Sequence, residues 1–200
     1  MTTNEADPGG ATSPEGQELL EDRQSLEGWQ PLESQVPRTR THTWTAGPPI
    51  SAFPHLSGEE ILHEILAGRI QEPAICSTLG FHLTEAKPGT AVFEGALGDH
   101  LYNPMNTVHG GYLATLLDSA LGCAVLSRLP AGIGYTTTQL NVHMLRPLFA
   151  DSGLLRCEGL VLHLGRTMAT AEARVVGVEN GKLYAHATTT CAILAPRPAA

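Results

Sequence analysis

Two hundred residues, 42% hydrophobic and 16% charged, suit one globular domain with a flanking segment and a sizeable core. The formal net charge of -8, with no Lys/Arg cluster, argues against a nucleic-acid partner. No apolar run reaches the ~18–20 residues of a membrane span. Four widely spaced cysteines (Cys76, Cys123, Cys157, Cys191) form no CxxC pair and no metal spacing, and read as small apolar core residues. A reducing compartment, and hence the cytoplasm, is the expected location, since no basic-then-apolar leader opens the chain.

Residues 1–50 are expected to be a mostly disordered tail. They are rich in Gly, Pro, Ser, Thr and Glu, and hold eight acidic residues against three arginines, which accounts for -5 of the -8. Their apolar residues are too sparse to offset ordering entropy, although Gln17–Leu26 could form a short helix. Residues 51–200 are expected to be the folded domain. Within it, Ser57-Gly-Glu-Glu60 predicts a helix start, a hydroxyl cap with Glu three residues later. Ile61, Leu62, Ile65 and Leu66 follow on one face, with the helix ending near Gly68–Gln71. Two strands are predicted at about Leu79–Glu85 and Ala91–Leu97, around a Lys87-Pro-Gly89 turn.

A polar loop, Gly98–His109, then runs into Gly110-Gly111 and a helix predicted to reach about Ser127. Its residues are apolar nearly all round, as in a buried helix. Asp118 is the only charged side chain between Gly110 and Ser127. A carboxylate buried there costs several kcal/mol unless paired or solvated, roughly the penalty for one desolvated ion, so its charge or proton is a candidate for use. Beyond Gly134 the chain reads as strand. Thr138, Leu140, Val142 and Met144 alternate with Thr137, Gln139, Asn141 and His143. Further strands are predicted at Leu154–Leu164, Met168–Val178 and Leu183–Leu194, the last two joined by a turn with Asn180-Gly181 at its centre. This order describes an α+β fold, an antiparallel sheet wrapped around one long central helix.

The pattern Asn103-x5-His109-Gly110-Gly111-x6-Asp118, together with Asn141-Val-His-Met-Leu-Arg-Pro147, resembles the hotdog-fold acyl-CoA thioesterases, in particular their phenylacetate-pathway (PaaI-type) branch. The likeness covers roughly residues 57–195. It implies hydrolysis of an acyl- or aryl-CoA to free acid and CoA, no cofactor and no metal, and a homodimer or a dimer-of-dimers tetramer. By position, Gly110 matches the glycine whose N–H polarises the thioester carbonyl, and Asp118 the acid residue that activates water or attacks directly. Asn103 matches a residue holding carbonyl or water, Thr137 a water-orienting hydroxyl, and His109 the histidine shaping the start of the helix. Gly165, Arg166 and Thr167 lie where relatives contact the CoA nucleotide. The sequence departs at Asn106, where relatives often carry Gly, although Asn tolerates left-handed geometry better than most residues.

Duller readings exist for each residue. Gly110-Gly111 suits an ordinary tight turn, Asp118 could cap buried backbone, and His143, His163 and His186 read as structural. A non-catalytic acyl-CoA sensor or carrier and a hotdog enoyl-thioester hydratase are the alternative functions. Helix geometry adds a separate expectation. Gly110 and Asp118 stand eight residues apart, about 12 Å along a helix and about 80° around it. One carbonyl could hardly use both from the same helix, so the site is expected at a dimer interface, with each group from a different protomer.

Overall fold

The computed structural model of the chain describes residues 37–194, so the expected helix at Gln17–Leu26 lies outside the described residues. A compact unit begins at His42, and a short 3-10 turn, Ile50–Ala52, precedes its first helix.

Helix α1 spans Gly58–Leu66 and starts as the sequence predicts. Ser57 Oγ accepts from the Glu60 N–H at 3.3 Å, and Glu60 returns a bond from the Ser57 N–H at 2.7 Å, so two orphan donors are satisfied reciprocally. Its buried face carries Ile61 and Leu62. A second helix, α2, Ala74–Leu79, fills a stretch for which the sequence suggested no element, and the strand expected from Leu79 begins at Phe81. Pro73 pre-sets its first turn, and Gly80, at a φ of 74°, ends it in left-handed geometry. Six residues hold less than two turns, too few for a helical period to show.

Strands β1 (Phe81–Lys87), β2 (Thr90–Gly95), β3 (Gly134–Met144), β4 (Leu155–Leu164), β5 (Met168–Gly177) and β6 (Leu183–Leu194) form one sheet in the order β1-β2-β4-β5-β6-β3. Every neighbouring pair is antiparallel. Helix α3, Gly110–Leu126, lies against this sheet and touches all six strands. Its Leu113, Leu116, Leu117, Ala120, Leu121 and Val125 are buried, as a helix apolar on most sides requires. Backbone meets backbone at Gly159 of β4, where an added Cβ would stand 2.4 Å from the Ala120 carbonyl oxygen. Only glycine lets strand and helix backbones approach that far.

One irregularity bears on the site. Strand β3 pairs with β6 in register except between Thr137 and Gln139, where a bulge inserts Thr138. The extra residue inverts the strand's phase. Leu140 and Val142 turn inward below the bulge, and Tyr135 and Thr137 turn inward above it.

Candidate active site

The loop before α3 is tied to itself. Asn103 Oδ1 accepts from the Met105 N–H at 2.8 Å and the Thr107 N–H at 3.3 Å, and Asn103 Nδ2 donates to Thr107 Oγ1 at 2.9 Å. Asn106 takes a φ of 55°, the left-handed geometry its residue type was expected to tolerate. A bridge between Tyr102 and Val108 closes the loop's base. The His109 N–H, donating to the Leu101 carbonyl at 2.8 Å, fixes where the helix begins.

His109 is the N-cap of α3. Its Nδ1 accepts from the Gly111 N–H at 2.8 Å, and its carbonyl accepts from the Tyr112 N–H at 3.0 Å. The ring does the work usually done by a serine or aspartate oxygen. That leaves the Gly110 N–H without a bonded protein acceptor among the described residues. It points from the positive end of a 17-residue helix. Gly110 lines a cavity of about 310 Å³ with Asn103, Thr107, Leu113, Met144 and Arg146. Asp118 is not among the residues of that cavity.

Asp118 lies two turns further along α3, half-buried, and accepts a hydrogen bond at Oδ1 from the Thr137 hydroxyl at 3.0 Å. The bulge makes this bond possible, because strict alternation puts Thr137 on the opposite face with Gln139. Cys123 and Tyr135 flank the carboxylate. Burial, then the nearby Cys76 and Asp118, pushes the Cys123 thiol up to about 12. Burial, with Cys123, Cys191 and Asp118 adding, holds the Tyr135 phenol well above its ordinary range. Sequence reading did not single out either residue. The available signal was Tyr135 standing two positions before Thr137, hence on the same strand face.

Gly165, Arg166 and Thr167 form the β4–β5 turn. The Gly165 N–H donates to the Met168 carbonyl at 2.8 Å, and the Thr167 carbonyl accepts from the Ile193 N–H at 3.0 Å. Ile193 pairs with Tyr135, so this turn sits at the Gly134 end of β3. Gly110 sits at the other end, where its Cβ position would meet the Met144 side chain. One protomer therefore holds three separate groups: the Asn103–Gly110 loop, the Asp118–Thr137 pair and the Gly165–Thr167 turn.

Comparison with known proteins identifies the family. The thioesterase superfamily matches residues 105–184. A candidate esterase from Halobacterium salinarum is 32% identical over 117 residues, covering 56% of this chain and 76% of that one. The chain belongs to the thioesterase superfamily. As a member it is a hydrolase with the hotdog fold. A crystal structure of a candidate thioesterase related to phenylacetic acid degradation, from Ralstonia eutropha, is 31% identical. It covers 66% of this chain and 98% of its own, with a TM-score of 0.60. The PaaI protein of the E. coli phenylacetic acid degradation operon, at 21% identity and a TM-score of 0.61, shares the fold over 70% of this chain and 95% of its own. No described helix of this thioesterase-superfamily chain is long and apolar enough to cross a membrane.

Proposed function

We propose that this chain is a cytoplasmic acyl-CoA thioesterase whose active site combines Asp118 of one protomer with the Gly110 N–H of its partner. The observation that carries the proposal is the Asp118–Thr137 pair, set two helical turns from an uncapped amide that lines a separate cavity. The thioester carbonyl accepts from the Gly110 N–H, which stabilises the developing oxyanion. Asp118 either takes the proton of the attacking water or attacks the carbonyl itself. Collapse of the tetrahedral intermediate expels the CoA thiolate; in the direct-attack route it leaves an acyl–aspartyl anhydride that water then hydrolyses, so both routes end in a free acid and CoA. A thiolate leaves readily, so no strong general acid is needed.

Thr137 donates to one carboxylate oxygen and so orients the other toward the water. Asn103 uses both ends of its side chain to shape the loop, and its second Nδ2 proton remains for the carbonyl or the water. His109 places the helix start, and Gly165, Arg166 and Thr167 receive the CoA nucleotide.

Strand β3 supports the composite site. It is an edge of the sheet, 11 residues long, and such edges pair. Two-fold antiparallel pairing of β3 with its copy sets the Met144 end of one protomer beside the Gly134 end of the other. The free Gly110 amide then approaches the partner's Asp118, Thr137 and Gly165–Thr167 turn. A homodimer, or a tetramer of two such dimers, is the active form.

The test is thiol release across an acyl-CoA panel. Wild type is expected to release CoA, and Asp118→Asn to lose on the order of 10²–10⁴ in kcat. A wild type that binds acyl-CoA and releases no thiol would make the protein a sensor. Loss of enoyl absorbance without thiol release would make it a hydratase.

A further inference from the structure

The residues before the matched segment build a second chamber beside the site. A cavity of about 410 Å³ lies between residues 46–53, α1, α2 and the C-terminal half of α3. Its walls are almost wholly apolar, with Pro49, Ile50 and Phe53 forming a strap on one side and Leu62 and Leu126 facing it. Glu72 is the one charged side chain in the lining, and both its oxygens are already used. They accept from the Leu83 N–H and bond His82 Nδ1, each at 2.8 Å. Ligand pockets of this kind are typically ~300–1,000 Å³.

The chamber begins where the Asp118 site ends. Asp118 and Gly122 are one helical turn apart on the same face of α3. Thr137 and Tyr135 share the inward face of β3. The first members of these pairs are hydrogen-bonded at 3.0 Å, and a Cβ on Gly122 would stand 2.3 Å from the Tyr135 hydroxyl. Tyr135 and Cys123 both line the cavity, and both feel the charge of Asp118.

We infer that this chamber holds the acyl group of the substrate, that this group is neutral and apolar, and that the 46–53 strap and Cys123 limit its size. The inference rests on the thioesterase reading of Asp118. A carboxylate at the far end of the acyl chain would be desolvated against apolar walls with no cation in the lining, so dicarboxylic acyl groups are excluded. A two-carbon acyl group leaves the chamber unfilled and forgoes the burial of every further methylene.

The experiment measures kcat/KM for straight-chain acyl-CoAs from acetyl to palmitoyl, with glutaryl-CoA as the charged member. Each added methylene is expected to raise kcat/KM about fourfold until the chamber is full, after which the gain stops. Glutaryl-CoA is expected to be at least about 100-fold slower than valeryl-CoA. Cys123→Phe, which fills the chamber, is expected to lower the octanoyl-to-butyryl ratio about tenfold or more. Phe53→Ala, on the strap, is expected to shift the optimum to longer chains. Melting curves verify that each variant folds, and calorimetry with free octanoate and butyrate reads the chamber without catalysis.

Thiol release with the same chain-length profile in wild type and both variants would overturn the chamber and leave the hydrolase reading intact. Octanoate binding that weakens in Cys123→Phe, in a protein that hydrolyses nothing, would keep the chamber and overturn the hydrolase. Neither hydrolysis nor octanoate binding would overturn both.

Discussion

At the scale of single residues, the distinction that matters is between groups that touch the reacting atoms and groups that hold them. In the proposed mechanism Asp118 is of the first kind, and Thr137, which donates to it at 3.0 Å, is of the second. Replacing Thr137 by Ala removes one hydrogen bond to the carboxylate and leaves the charge, so kcat should fall about 10-fold, the size of a bond to a charged group. Thr137→Ser should recover most of that loss, and steady-state kinetics on the three proteins decide it. Equal loss in the Ser and Ala variants would mean that strand packing, not the hydroxyl, is what Thr137 supplies. The thiols give a second residue-level prediction. Burial pushes Cys76 and Cys123 up to about 12 from an ordinary 9. The folded state therefore favours the neutral thiol, and the stability this contributes is full below pH 9 and is lost as pH rises from 9 toward 12. At pH 8 neither thiol should take up iodoacetamide in the native protein, and both should after denaturation, as read by mass spectrometry. Rapid native labelling of either would contradict their burial.

Residue types and residue faces were unequally legible in the sequence. Asp118 stands out because it is the sole charge in an apolar helix, and Asn106 because it replaces the glycine that relatives often carry there. Thr137 does not, since strict alternation groups it with Gln139 and Asn141. A bulge has no residue of its own that marks it, and here it turns on one inserted threonine in a run of three. Resemblance to the family, rather than periodicity, drew attention to that position.

At the scale of elements, the long helix, the first helix and all six strands follow from patterning, although the first helix ends at Leu66, short of the expected Gly68–Gln71. The capping box at Ser57 and Glu60 forms as its spacing requires. Helix α2 was hidden because it is shorter than two turns and contains two hydroxyl residues, Ser77 and Thr78, that carry no helical signal. Ser77 and Thr78 instead donate back to the Ala74 carbonyl, each at 3.0 Å. The backbone contact at Gly159 was not legible either, because a glycine in a strand can mark a bulge, a bend or a close approach. Here it is the last. Gly159→Val should destabilise the fold by roughly 3 kcal/mol, the upper range for overpacking, since the group it meets is backbone and cannot move aside. A urea melt with an unchanged midpoint would contradict the close contact between β4 and α3.

At the scale of the molecule, a single chain keeps the two groups of the proposed mechanism two helical turns apart. The Gly110 amide and the Asp118 carboxylate lie on one helix, and the cavity that Gly110 lines does not include Asp118. One edge of the sheet is the strand that carries Thr137, so in the proposed dimer the pairing of that edge would assemble the site and satisfy the unpaired backbone in one step. Activity should accordingly depend on protein concentration below the dimer dissociation constant, and sedimentation across the same range should show dimers falling apart as activity is lost.

Mixing two inactive variants tests the composite site most directly. Asp118→Asn lacks the carboxylate, and Gly110→Val should obstruct the approach to the amide. Each alone should be inactive in the thiol-release assay. Unfolding and refolding them together at equal concentration makes about half the dimers mixed, and each mixed dimer has one intact site of two. The account predicts about a quarter of wild-type activity in the mixture. A mixture as inactive as its two components, once mixed dimers are shown to have formed, would mean that one chain supplies both groups and would contradict the account.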